Sequence, residues 1–169
     1  MLKKEVEDFI QDYVLYGFSS IQDYELLKGF NFENLVHAES VDQSDPIIEY
    51  SSEQLGYLNF VKDHIEKQYV KSLYNNCLCT SKNMWEGVEP MSMEWHNDFS
   101  ADQDFSFLYY IDNTDTSSGG ALHFKGNKEF SIYPKEATLV WMNQLPDYLH
   151  KAEKSINKRR IIHLGFKIL

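Results

Sequence analysis

From about residue 75 onwards, short apolar or alternating runs follow one another at close spacing, each cut off by turn-forming residues, and this succession most narrows the folds open to the chain. The runs are Cys77-Leu78-Cys79, Met91 to Trp95, Phe105 to Ile111, Ala121 to Phe124, Phe130 to Tyr133, Ala137 to Met142, Tyr148-Leu149 and Ile161 to Leu169. Segments such as Asn113-Thr114-Asp115-Thr116-Ser117-Ser118-Gly119-Gly120 separate them. Runs this short, rich in aromatic and β-branched residues, read as strands; many of them in series predict an antiparallel sandwich or jelly roll.

The first half reads differently. Val6, Phe9, Ile10, Tyr13 and Val14 recur at helical spacing, with Gly17 as a stop. Ser51 and Gln54 have the spacing of a capping box, and Leu58, Val61, Ile65, Tyr69 and Leu73 continue as a stripe to Asn75-Asn76. Between the helices, residues 19–50 read as loop-rich, with a strand near Phe30 to Val36 and a turn at Ser44-Asp45-Pro46. The expected fold is mostly β with supporting helices. It forms a single domain over 1–169, with a helical support region over 1–74 and a jelly-roll core over 75–169.

Charge and cysteine usage bound the partners. A formal net charge of −10 repels phosphate backbones, which disfavours nucleic acid. Lys151, Lys154, Lys158, Arg159 and Arg160 form a local basic run that reads as a solvated turn, one arginine excepted. Cys77 and Cys79 are too close for a good disulfide and lack the second pair of a zinc site. They are expected as buried thiols in a reducing compartment. The N-terminal residues lack the apolar core of a signal peptide and no run is long enough to span a membrane, so a cytoplasmic location is expected.

Chemistry concentrates in Glu94-Trp95-His96-Asn97-Asp98. On an extended chain alternate residues share a face, so His96 and Asp98 can present an imidazole and a carboxylate to one point. His150, 54 residues later, is a suitable third member near the start of another expected strand. Two histidines and one carboxylate with open positions is the set that suits iron(II) and oxygen chemistry; zinc with a catalytic water accepts it too.

Ten residues beyond His150 comes Arg160. On its strand it alternates with Ile162, Leu164 and Phe166, whereas Arg159 alternates with Ile161, His163, Gly165 and Lys167. The more apolar set selects Arg160 as the inward residue. A guanidinium among apolar side chains needs an anion. A dicarboxylate ligand can supply it through a bidentate pair, and so can one of the chain's 26 acidic residues. By the same alternation His123 and His163 are expected on outer faces, and His37 and His64 have no partners at ligand spacing.

The stretch from Met91 to the C-terminus resembles the 2-oxoglutarate/iron(II) dioxygenases, most closely their prolyl 4-hydroxylase-like branch. The resemblance is carried in order by His96-Asn97-Asp98, Phe107-Leu108-Tyr109-Tyr110-Ile111-Asp112, Gly119-Gly120-Ala121-Leu122-His123-Phe124, Phe130 to Pro134 through Val140-Trp141, then His150 and Arg160. It implies a double-stranded β-helix with the N-terminal helices packed on the major sheet. It implies iron(II) held by His96, Asp98 and His150, and 2-oxoglutarate held at its far carboxylate by Arg160 and Tyr110. Leu108 and Trp85 would stand beside the co-substrate, with Leu122, Phe124, Trp141 and Ile162 as apolar walls.

The implied reaction uses O2, with ascorbate as an accessory reductant. It decarboxylates 2-oxoglutarate to succinate and CO2 while hydroxylating an aliphatic C–H, foremost in a prolyl or related residue of a peptide or protein. A free amino acid or other small molecule is the alternative substrate, and a jelly-roll binding module the non-enzyme alternative. Two positions depart from the family pattern: Ala137 stands where a glycine is usual, and Asp112 where the family has asparagine. Phe166 occupies the place of the second arginine of the DNA-dealkylating branch.

Overall fold

The computed structural model describes residues 2–28, 50–87, 94–98, 102–113, 117, 119–153 and 159–169. The elements run α1 (Leu2–Tyr16), β1 (Phe18–Gln22), a 3-10 turn (Tyr24–Leu27), α2 (Ser52–Gln68), a second 3-10 turn (Val70–Ser72), β2 (Cys77–Gly87), β3 (Phe105–Tyr110), β4 (Leu122–Lys125), β5 (Glu129–Ile132), β6 (Thr138–Asn143), β7 (Leu149–Ala152) and β8 (Arg159–Ile168). The expected strand near Phe30 to Val36, the turn at 44–46 and His37 lie outside the described residues. Among the described residues no helix is long and apolar enough to cross a membrane.

Both helices form where local chemistry places them. On α1, Phe9 and Tyr13 are buried, but Val14 is 60% exposed, so the apolar stripe is narrower than its spacing suggests. Gly17 ends α1 at φ 74°, its N–H donating to the Tyr13 carbonyl at 2.7 Å. The α2 capping box is present. The Gln54 N–H donates to Ser51 Oγ at 3.2 Å, and the Ser51 N–H donates to Gln54 Oε1 at 2.7 Å. Leu58, Val61, Ile65 and Tyr69 are buried along one face.

Among the described residues the strands form two antiparallel sheets, five strands in the order β1-β6-β3-β8-β2 and three in the order β5-β4-β7. β1 departs from the loop expected from residue 19. Its five residues pair with β6, Phe18 opposite Met142 and Gln22 opposite Thr138. The N-terminal region thus contributes a sheet edge as well as helices.

The larger sheet is covered on both faces, and its strands divide their side chains between two apolar clusters. Phe105, Phe107, Tyr109, Leu139, Trp141, Ile162, Leu164 and Phe166 pack towards Phe9, Tyr13 and the α2 stripe. Tyr13 stacks on Trp141 with ring centroids 4.0 Å apart. On the other face Leu108, Tyr110, Val140, Met142 and Ile161 meet Leu122 and Phe124 of the smaller sheet. This second cluster is the jelly-roll interior. A β-bulge in β2 between Cys79 and Ser81 reverses the parity of that strand. Cys77 and Cys79 pack on the helix side, half-buried rather than buried, whereas beyond the bulge it is Met84 that joins that cluster. The bulge thereby turns Ser81 towards the interior, next to the site described below.

Candidate metal centre

The two histidines are brought together by backbone pairing. An isolated antiparallel bridge joins residues 96 and 150: the His96 N–H donates to the His150 carbonyl at 3.0 Å, and the His150 N–H to the His96 carbonyl at 2.8 Å. Residue 150 also lies opposite Phe124 in the smaller sheet, on that sheet's inner face. His150 is buried and His96 half-buried, with ring centroids 4.3 Å apart.

Asp98 completes the group. One donor atom from each of His96, Asp98 and His150 lies within 4.8 Å of the others. His96 Nε2 is 3.6 Å from Asp98 Oδ1, and His150 Nε2 is 3.4 Å from Asp98 Oδ2. Ligand atoms at about 2.1 Å from a first-row divalent ion, at right angles to one another, lie about 3 Å apart. Each imidazole nitrogen is a few tenths of an ångström further than that from its own carboxylate oxygen, and two imidazoles with one carboxylate form a donor set that fits such an ion. His96 Nδ1 donates to the Glu94 carbonyl at 2.7 Å, which leaves the Nε2 lone pair turned towards Asp98. Among the described residues the buried His150 Nδ1 has no hydrogen-bond partner, so no equivalent bond holds the second ring there. Burial pushes the Asp98 carboxyl up, but a hydrogen bond from His150 and the charges of His150, His163 and His96 outweigh it and hold the group below the ordinary carboxylate value. The result is an anionic ligand flanked by two imidazoles.

Leu108 and Tyr110 are buried in the interior cluster, on the face expected for them. The backbone of residue 85 pairs with Ile161, so position 85 lies on the interior parity of β2. Of the expected apolar walls, Leu122 and Phe124 face the interior, whereas Trp141 and Ile162 belong to the helix-side cluster.

Arg160 lies on the opposite face of β8 from the one expected. Its companions Ile162, Leu164 and Phe166 are apolar because they pack against the helices, not because they line the jelly roll. Arg160 shares their parity, and its guanidinium grips Asp112, Nη2 to Oδ1 at 2.7 Å and Nε to Oδ2 at 2.9 Å. The interior parity of β8 is that of Ile161, and position 159, opposite Gly87, falls on it.

His163 is inverted with it. It was expected outward, yet it shares the parity of Ile161, lies opposite Leu108, and is electrostatically coupled to Asp98 and His150. Burial, with the His150 charge adding to it, pulls its pKa below the ordinary value against the pull of Asp98. Its Nδ1 lies 3.4 Å from Ser81 Oγ and its Nε2 3.5 Å from Gln103 Nε2. Gly165 makes room for this group, since a Cβ there would lie 2.6 Å from Gln103 Oε1 and 3.0 Å from Ser81 Oγ. One wall of the site is therefore polar. His64 is elsewhere, on Asp23, and His123 contacts Ser131 and Glu153 on the outer face of the smaller sheet.

With this geometry in place, comparison with solved structures is decisive for the architecture. The fold is that of the 2-oxoglutarate/iron(II) oxygenases. A 2OG-Fe(II) oxygenase family oxidoreductase from Burkholderia pseudomallei superposes with a TM-score of 0.70 at 11% identity, covering 96% of this chain and 90% of the other. A prolyl-4-hydroxylase from Pseudomonas putida gives 0.65 at 14% identity, covering 97% and 94%. A prolyl hydroxylase from Trichoplax adhaerens, in complex with a hypoxia inducible factor oxygen degradation domain peptide fragment, gives 0.64 at 15% identity, covering 98% and 91%. No protein-family model and no curated protein matches the sequence.

Proposed function

We propose that this chain is an iron(II)- and 2-oxoglutarate-dependent dioxygenase that hydroxylates an aliphatic C–H, with a prolyl or related residue of a peptide or protein as the foremost substrate. The observation that carries the reading is the convergence of His96, Asp98 and His150 at the edge of the jelly-roll interior. When bound there, iron(II) with 2-oxoglutarate supplies oxidative chemistry that no side chain of the chain can perform. The three residues would hold the metal through two imidazoles and one carboxylate, the donor set that suits iron(II).

The co-substrate anchor in this reading is Arg159, one residue before the arginine chosen by apolar alternation. Two observations support it: Arg160 is committed to Asp112, and position 159 has the interior parity of β8. Tyr110 lies opposite Ile161, two residues along β8 from position 159, so its hydroxyl is the natural second donor to the same carboxylate. Leu108, Leu122 and Phe124, buried together in the interior, would exclude water from a metal held there. Ser81, Gln103 and His163 offer hydrogen bonds rather than charge, which suits the uncharged amides of a peptide. The peptide bound by the Trichoplax adhaerens structure supports that substrate class.

Anaerobic addition of iron(II) and 2-oxoglutarate should produce a visible absorption band that requires both, and His150→Ala should abolish it. Succinate release in the presence of prolyl peptides should then identify the substrate. A protein that holds zinc tightly and ignores 2-oxoglutarate would overturn the reading in favour of a hydrolase.

A further inference from the structure

The bridge between His96 and His150 fixes both histidines through main-chain hydrogen bonds, but it ends before Asp98. The carboxylate ligand lies two residues further on, and its peptide N–H donates instead to a side chain, Gln144 Oε1, at 2.9 Å. Gln144 is wholly buried. Its amide Nε2 donates to Ser106 Oγ at 2.6 Å, and Ser106 is wholly buried on β3. The Gln144 main chain is held as well, its N–H donating to the Asp104 carbonyl at 3.0 Å. The amide thus has a fixed donor end and a fixed acceptor end, and the acceptor end meets Asp98. Gln144 also opens the turn that leads from β6 to β7, where the Leu145 N–H donates to Asn143 Oδ1 at 2.9 Å and the Tyr148 N–H to the Leu145 carbonyl at 2.9 Å. That turn delivers His150.

We infer that Gln144 is a positioning residue for the metal centre: its side chain, oriented by Ser106, replaces the missing ladder bond at Asp98 and ties the carboxylate ligand to the turn that carries the second histidine. The role rests on the metal-centre reading above. Buried neutral amides with both ends satisfied fix geometry without adding charge, and outer partners of this kind typically change metal affinity by about 10–100-fold when removed.

Gln144→Met keeps the volume and removes both hydrogen bonds; Ser106→Ala is the milder variant, leaving the acceptor in place but unanchored. With Mn(II) as the probe on the full chain, Gln144→Met should raise the Kd by about tenfold or more. Ser106→Ala should raise it less, and the double variant should be no worse than Gln144→Met alone. In metal-free protein, hydrogen exchange at the Asp98 amide should accelerate in Gln144→Met while the His96 amide keeps its protection. A Mn(II) Kd within twofold of the parent in a folded Gln144→Met protein would overturn the inference, and so would equal loss of protection at both amides, the sign of general loosening. If the parent binds no Mn(II) that His150→Ala weakens, the metal reading fails by itself. The exchange experiment then still decides whether Gln144 holds Asp98.

Discussion

Arg160 and Asp112 satisfy each other through three hydrogen bonds, two from the guanidinium at 2.7 and 2.9 Å and one from the Arg160 N–H to Oδ2 at 2.9 Å. The pair explains a departure from the family pattern. An asparagine at 112 could accept from the Arg160 main chain but could not neutralise the guanidinium, so the aspartate and the arginine belong together. The Ile111 N–H donates to the Arg160 carbonyl at 3.1 Å, which places the pair at the β3–β8 junction.

Separating the two arginines is the first test. Both side chains of the pair are about a quarter exposed, so Arg160→Ala is expected to cost about 1 kcal/mol of stability after solvent screening. It should leave 2-oxoglutarate affinity within about threefold, since only packing near the site changes. Arg159→Ala should weaken 2-oxoglutarate binding at least tenfold, roughly the loss of a charge-assisted bidentate contact. Urea melts and calorimetric titration in the presence of Mn(II) report the two quantities separately. The opposite assignment of the two losses would return the anchor to Arg160.

Ala137 is the other departure, and its backbone explains why glycine is usual there. Its φ is 66°, in the left-handed region, while its N–H donates to the Tyr110 carbonyl at 2.9 Å and its carbonyl accepts from Asp23 N–H at 2.8 Å. Those two bonds hold the conformation in place. Ala137→Gly relieves about 1 kcal/mol of strain but removes a buried methyl of about 0.8 kcal/mol, so thermal stability should change little. Ala137→Thr should cost more than about 2 kcal/mol, because a β-branched residue tolerates this region worst. A tolerated threonine would show that the left-handed backbone is not imposed by its hydrogen bonds.

Gly17 and Gly126 flank the ring of Tyr148. A Cβ would lie 2.2 Å from Tyr148 Cε1 at Gly17 and 2.5 Å from Cδ1 at Gly126. Tyr148 stands two residues before His150, so the ring packs the helix α1 terminus against the segment that carries a proposed ligand. Gly17→Ala should destabilise by about 3 kcal/mol, combining the left-handed backbone with overpacking. Adding Tyr148→Ala removes the clash, so the double variant should be at least about 1 kcal/mol more stable than the sum of the single losses implies. Additive losses in a denaturant cycle would show that the ring is not what forbids a side chain at 17.

These cases separate what local chemistry reveals from what it conceals. The α2 capping box, the Gly17 stop and the convergence of His96, Asp98 and His150 were legible because each depends on spacing within a segment or on one strand pairing. The facing of β8 was not. Alternation in Ile162, Leu164 and Phe166 correctly marks a buried face, but a sheet covered on both sides buries both, and only the partner layer says which is the interior. His163 went astray by the same inversion. β1 escaped because Phe18-Ser19-Ser20-Ile21-Gln22 has little strand pattern of its own and is stabilised by β6, far along the chain. Gln144 left no signal, since an uncharged amide acquires its role only from the groups that fold around it.

The last test lies on the helix side of the larger sheet, at Asp23. Its carboxylate accepts from Tyr69 Oη at 2.5 Å, contacts His64 Nε2 at 2.7 Å, and accepts from the Glu25 N–H at 3.1 Å. The Tyr109 hydroxyl donates to its carbonyl at 2.9 Å. Burial pushes the Asp23 carboxyl up, but the bonds to His64 and Tyr69 outweigh it and the folded value lies below the ordinary 3.8. A depressed folded value means that the folded state holds its proton more weakly than the unfolded chain does. The associated stability is therefore complete above pH 3.8 and disappears as the pH falls through that value and then through the folded one. Asp23→Asn cannot make this contribution. The stability gap between parent and variant, read from urea midpoints, should shrink steadily as the pH falls below about 4. The comparison cancels the acids common to both proteins, Asp98 included. A gap that stays constant down to pH 3 would mean that His64 and Tyr69 do not favour the charged carboxylate, and that the cluster holds α2 to β1 by packing alone.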